Sequence, residues 1–205
     1  MPDLPASIGS VCVYCASSDA ADPAYMEAAA AFGKTLAQEG LRLVYGGGNI
    51  GLMGACARAA HDAGGKVLGV MPEFLRRREI LYGDVETIVV SSMHERKMVM
   101  FEQSDAFVVL PGGVGTLEEV IEMMSWRRLE LHRKPIVFHS PESFWEPLFT
   151  LFQHTIDHRL TPAAFTDTWR SVETVEEILP AVLALAATDG PVLEARMPKA
   201  PLDQR

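Results

Sequence analysis

Ala106-Phe107-Val108-Val109-Leu110-Pro111-Gly112-Gly113-Val114-Gly115-Thr116-Leu117-Glu118-Glu119 is the stretch that decides the fold. It opens as an apolar strand, passes through a glycine turn and continues into a long helical pattern. A strand that feeds a helix through glycines aims backbone N–H groups, and the positive end of the helix dipole, at the space above the sheet. An anion, most often a phosphate, suits that space. Glycine suits the turn because a side chain would obstruct close approach. Two glutamates follow directly, so carboxylates stand beside the anion site.

A second strand-to-glycine junction lies upstream. Leu41-Arg42-Leu43-Val44-Tyr45 reads as a strand running into Gly46-Gly47-Gly48-Asn49-Ile50-Gly51, with a helix from about Leu52 to just before Gly64. Further strands are expected at 10–15, 66–70, 85–90, 135–139 and 169–172. Helices are expected at 23–39, with Gly40 as its stop, and at 93–104, 117–131, 144–158 and 175–187. Ser92 is placed to cap the helix that begins at Met93, with Glu95 in capping-box position. Near-continuous apolar strands alternating with helices predict one doubly wound parallel sheet flanked by helices, an α/β fold. Such sheets bind ligands at the carboxyl ends of their strands, near the point where strand order reverses. Both glycine loops sit at strand ends. The expected domain is 10–187, with tails at 1–9 and 188–205.

Composition narrows the function. The chain has 205 residues, of which 48% are apolar, and a net charge of −9. An acidic chain of this kind is no general nucleic-acid binder. No apolar run reaches the roughly 20 residues that span a bilayer. The first residues, Met1-Pro2-Asp3-Leu4-Pro5, lack the basic region of a signal peptide. Three cysteines build no disulfide framework, and a reducing, cytoplasmic setting is expected.

Several motifs point elsewhere and are set aside on physical grounds. Gly46 to Gly51 fits G-x-G-x-x-G, but the acidic residue a dinucleotide site requires would be Glu73, late and behind Pro72. Neither glycine loop carries the lysine of a nucleoside-triphosphatase P-loop. Cys12-Val13-Tyr14-Cys15 spells C-x-x-C, yet positions i and i+3 of a strand point to opposite faces. His154 and His158 are spaced i, i+4 on a helix without a third ligand in view.

Thr116 and Glu119 fit a Thr-x-x-Glu capping box, which alone would account for Glu119. Glu118, Glu119 and Glu122 nevertheless put three carboxylates near one helix start, where a cap needs one. Leu117, Val120, Ile121 and Met124 are expected on the core-facing stripe. Arg96 and Lys97 lie at the start of their own helix, where cations oppose the macrodipole unless something anionic compensates. The irregular segment from Pro72 to Gly83 carries Arg76, Arg77, Arg78 and Glu79 and is a candidate active-site loop. Met98, Met100, Met123 and Met124 fit either a helical interface or the core.

Three stretches taken together resemble one family. Pro111 to Glu119 fits P-G-G-x-G-T-x-x-E, and Gly46 to Gly54 and Met93-His94-Glu95-Arg96-Lys97 fit its companion motifs at matching intervals. They resemble the Lonely Guy family, the cytokinin riboside 5′-monophosphate phosphoribohydrolases, over about 11–187. The family has often been labelled lysine decarboxylase, but the chain shows no recognisable pyridoxal-phosphate site and is short for such an enzyme. The resemblance implies a Rossmann-like homodimer that cleaves the N-glycosidic bond of a purine nucleoside 5′-monophosphate, AMP or a cytokinin riboside monophosphate. No metal or cofactor is implied. By matching positions, Arg96 and Glu119 would be the catalytic pair. Gly112, Gly113, Val114, Gly115 and Thr116 would hold the 5′-phosphate. Glu79, Lys97, Leu117 and Glu118 would complete the nucleotide site together with Arg96. Family members often carry threonine before the tryptophan of this helix; here Ser125 precedes Trp126, keeping the hydroxyl and losing a methyl.

Overall fold

The computed structural model describes residues 8–76 and 82–188. Its strands are β1 (Ser10–Tyr14), β2 (Arg42–Tyr45), β3 (Val67–Pro72), β4 (Glu86–Val90), β5 (Ala106–Val109), β6 (Ile136–His139) and β7 (Arg170–Val172). Its helices are α1 (Pro23–Gln38), α2 (Gly51–Asp62), α3 (Met93–Glu102), α4 (Val114–Arg128), α5 (Glu146–Asp157) and α6 (Val175–Thr188). The strands form a single seven-stranded sheet in the order β4-β3-β2-β1-β5-β6-β7. Every neighbouring pair is parallel.

Alternating side chains of the strands feed two cores, as a sheet covered on both faces requires. Val11, Val13, Val108 and Val137 pack under α1, α2 and α6, with Phe32, Leu36, Leu52 and Ile178. Cys12, Tyr14, Phe107 and Phe138 face α3, α4 and α5, with Met100, Phe101, Val120 and Met123. The C-x-x-C pair is divided between these cores, Cys12 in one and Cys15 in the other. Burial pushes both thiols up and holds Cys56 at about 12, so none is a ready thiolate. Met100, Met123 and Met124 belong to the core.

Strand order reverses between β1 and β5. From β1 the chain moves to β2, and from β5 it moves the opposite way to β6. Beyond the strands, the two loops stay tied: Leu110 N–H donates to Tyr14 O at 3.0 Å and Ala16 N–H to Pro111 O at 3.2 Å. Ala16 O in turn accepts from Met53 N–H at 3.2 Å, which docks the start of α2 on the same crevice. Both glycine loops therefore face the switch point.

The expected elements are present, with their ends shifted by a few residues. The largest shift is at α4, which starts at Val114 rather than Leu117. Its N-cap is Gly113, with no side-chain cap. Thr116 is thus inside the first turn, and the Thr116–Glu119 capping box does not form. No acidic residue lies in that first turn. The buried stripe also differs from the expected one: it carries Thr116, Glu119, Val120, Met123, Met124 and Arg127, while Ile121 is exposed.

Candidate active site

The site begins at the uncapped start of α4. The first N–H groups of a helix have no partner within it, and Gly113 offers none from a side chain. A Cβ placed on Gly113 or Gly115 would meet only open space, whereas one on Gly112 would stand 2.1 Å from Thr116 Oγ1. Gly112 is therefore required by the fold itself. The bareness of Gly113 and Gly115 is not, and it leaves the backbone open to a ligand. Val114, between them, is 85% exposed.

Helix α3 supplies the cations. Ser92 caps it by accepting from Glu95 N–H at 3.1 Å. Glu95 reaches back one residue further than a capping box requires: it accepts from Ser91 N–H and from Ser91 Oγ, both at 2.7 Å. Those hydrogen bonds hold its carboxyl below the usual range. With the helix start fixed, Arg96 and Lys97 point inward, and both are buried. This excludes a solvated basic face.

The Arg96 guanidinium gathers three elements. Nε donates to Val70 O of β3 at 3.1 Å, and Nη2 donates to Gly46 O after β2 at 3.0 Å. Nη1 lies 3.6 Å from Glu119 Oε1 on α4. The fork passes over Gly46, where a Cβ would come within 2.0 Å of Nη2. Lys97 is held by two more carboxylates of α4, Glu118 and, at 2.8 Å, Glu122. Burial pulls its ammonium pKa down, but hydrogen bonds to Glu118 and Glu122 outweigh this and leave it raised. The Glu118 side chain remains half exposed and faces a groove of about 610 Å³ that Val114, Leu117, Ile121, Ser125 and Trp126 also line.

Arg96, Lys97, Gly112 to Glu119, and Ser125 thus meet around α4 and its entry loop. Glu79 lies outside the described residues, as do Arg77 and Arg78. Arg76 makes a surface pair with Glu73 at 3.0 Å, worth little in solvent. His154 and His158 are exposed, with His158 Nδ1 only 2.9 Å from the His154 carbonyl. Residue reading alone did not find the two carbonyl acceptors of Arg96, because backbone oxygens carry no sequence signal. The partnership of Glu122 with Lys97 had a signal in its i, i+4 spacing from Glu118.

A parallel sheet with two glycine loops at its switch point, an open helix start and a buried arginine–glutamate pair defines a Rossmann-type α/β protein. A family described as "Possible lysine decarboxylase" matches residues 53–182. Over 147 residues the chain is 44% identical to "Cytokinin riboside 5′-monophosphate phosphoribohydrolase LOG" of Oryza sativa subsp. japonica, covering 71% of this chain and 61% of that protein. It is 43% identical over 148 residues to the Arabidopsis thaliana protein of the same name numbered LOG7, covering 72% and 68%. The chain belongs to this Lonely Guy family. It spans about three-fifths of the length of the rice relative. Its fold is similar to that of the molybdenum cofactor binding protein from Rippkaea orientalis, with a TM-score of 0.66 and 20% identity, over 86% of this chain and 96% of that one.

Proposed function

We propose that this chain hydrolyses the N-glycosidic bond of a purine nucleoside 5′-monophosphate to the free base and ribose 5-phosphate. The observation that carries the reading is the buried Arg96–Glu119 pair beside an open, uncapped helix start. The names of the relatives support the same chemistry.

In this reading the N–H groups from Gly112 to Thr116 bind the 5′-phosphate. Breaking C1′–N9 leaves its electron pair on the base and develops positive charge on the ribose. Glu119 stabilises that charge and takes a proton from the attacking water as its oxygen bonds to C1′. The departing base takes a proton from solvent and Glu119 returns its own to solvent, so that the net transfer is OH to C1′ and H to the base. Arg96 orients Glu119 and binds anionic oxygens. Lys97 and Glu118 contact the nucleotide, with Leu117 and the Ser125 hydroxyl completing the wall; Glu79 has the same role from its loop. No metal or cofactor enters the scheme. AMP and cytokinin riboside monophosphates are the candidate substrates. The reading includes a homodimer built on the groove beside α4, and a reducing compartment, the cytoplasm, for the three free thiols.

The test is chromatography of AMP and of isopentenyladenosine 5′-monophosphate after incubation with the purified chain alone. Release of free base is expected. Intact nucleotide, with a melting temperature still raised by AMP, would replace the hydrolase with a nucleotide-binding or carrier protein.

A further inference from the structure

Behind the glycine loop that holds Arg96 lies a second arginine with a different task. Gly46, Gly47, Gly48 and Asn49 link β2 to α2 and have few side chains with which to pack. A glycine-rich segment has little stiffness of its own. Gly47 has φ +83°, a left-handed conformation. The loop's shape is therefore set by its packing against Val70 and Met71 of β3 and by whatever holds its carbonyls. Arg96 Nη2 holds Gly46 O from the site side at 3.0 Å. Tyr82 N–H holds Gly47 O at 3.3 Å. Arg58 of α2 holds the far end twice: Nη1 donates to Asn49 O at 2.7 Å and to Asn49 Oδ1 at 2.6 Å.

The fold makes room for that double bond. Gly54 stands one turn before Arg58 on the same stripe of α2. A Cβ on Gly54 would come within 2.1 Å of Asn49 O and 2.7 Å of Arg58 Nη1. The bare Gly54 leaves a slot through which the guanidinium reaches the loop. Its Nη1 has two N–H groups, one for each Asn49 oxygen.

We infer that Arg58 is a positioning residue: by pinning Asn49 it fixes the 46–49 loop, and with it the Gly46 carbonyl that aims Arg96 at Glu119. The inference rests on the reading of Arg96 and Glu119 as the catalytic pair. Among the described residues, Arg58 makes its hydrogen bonds to Asn49 and to none of the groups assigned to the nucleotide. Its removal therefore acts on the turnover step more than on substrate affinity.

The experiment compares wild type, Arg58→Ala and Arg58→Lys in the full chain, with AMP as substrate. Arg58→Ala is expected to lower kcat by about tenfold or more, since small misplacements of catalytic groups are costly, with KM within about twofold. Arg58→Lys, which keeps the charge but loses the two-hydrogen Nη1 of the planar fork, is expected to recover part of that loss. Guanidinium ion added to Arg58→Ala is expected to recover part as well, which a merely unstable variant would not show. Amide exchange at 46–49 is expected to quicken in Arg58→Ala. An active wild type with unchanged kcat in Arg58→Ala overturns the inference and leaves the functional reading standing. A wild type that releases no base overturns the functional reading and, with it, the catalytic aim of the pin. Unchanged amide exchange in Arg58→Ala overturns the pin itself, whatever the activity.

Discussion

Arg96 Nη1 and Glu119 Oε1 lie 3.6 Å apart, on side chains that are each about 95% buried. Both charges have left bulk water, and the pair is longer than a charge-assisted hydrogen bond. Two other N–H groups of the guanidinium are committed to the Val70 and Gly46 carbonyls. Arg96 is thus anchored by backbone and holds its charge beside the carboxylate. That arrangement suits a general base, which must stay ionised and still be able to accept a proton.

Glu119→Gln keeps the shape and removes the proposed base. Turnover of AMP is expected to fall by about a hundredfold or more, the usual scale of general-base catalysis. AMP affinity, measured by calorimetry, is expected to stay within a few-fold, because the proposed phosphate cradle at 112–116 is untouched. Near wild-type turnover would remove Glu119 from the mechanism.

The glycines at 112, 113 and 115 separate the demands of the fold from the proposed phosphate contact. Gly112→Ala drives a Cβ against Thr116, which is buried, and is expected to lower the melting temperature. At Gly113 and Gly115 a Cβ meets open space. Gly115 is also within α4, where alanine is the better helix former. Gly115→Ala is therefore expected to melt at or above the wild-type temperature while KM for AMP rises about tenfold, the loss of roughly one good hydrogen bond to a charged group. Unchanged KM would move the phosphate away from this turn.

The doubly wound sheet was legible because the central strands β1, β5 and β6 are apolar runs, and because β2 and β5 lead into glycine turns that open helices. That Arg96, Lys97 and Glu119 come together was legible because the stretches that carry them lie at strand ends and helix starts. What the sequence concealed is physical in each case. Thr116 mimics an N-cap because capping rules assume that a side chain satisfies the first N–H groups; here Gly113 leaves them open. The α4 stripe was right at Val120 and Met124 but incomplete, because periodicity recognises buried apolar residues and this helix also buries Thr116, Glu119 and Arg127. Ile121, read as core, is 39% exposed.

That exposed face supports the expected dimer. Val114, Leu117, Ile121 and Trp126 line one groove with Lys97, and apolar side chains gathered on one exposed face mark interaction surfaces. Ile121→Arg places a charge there without touching the Arg96–Glu119 pair. The wild type is expected to elute and scatter light as a dimer, and the variant as a monomer. A monomeric wild type would dispose of the homodimer.

His132 gives the fold an acid limit. The ring is buried, with Nε2 2.9 Å from Met123 O, and Nδ1 accepts from Lys134 N–H at 3.1 Å. This geometry fits the neutral ring with its proton on Nε2; a second proton on Nδ1 would face an N–H donor. Burial, together with the nearby charges of Arg127 and Lys134, lowers its pKa to about 4 from 6.5, although the bond to Met123 O favours the charged ring. The unfolded chain therefore takes up a proton below about pH 6.5 and the folded chain only near pH 4, so stability falls as pH falls through that window. The contribution is fully present above 6.5 and is lost by about pH 4, an effect of up to about 3 kcal/mol. Lys134, whose own pKa burial lowers to about 8, stays protonated in both states across this range and adds no slope. Urea unfolding of wild type and His132→Gln at a series of pH values isolates the term, since other groups cancel in the difference. Gln can still donate to Met123 O, so the variant is expected to fold and to lose less stability than wild type between pH 6.5 and 4. Parallel curves for the two proteins would mean that His132 titrates alike folded and unfolded.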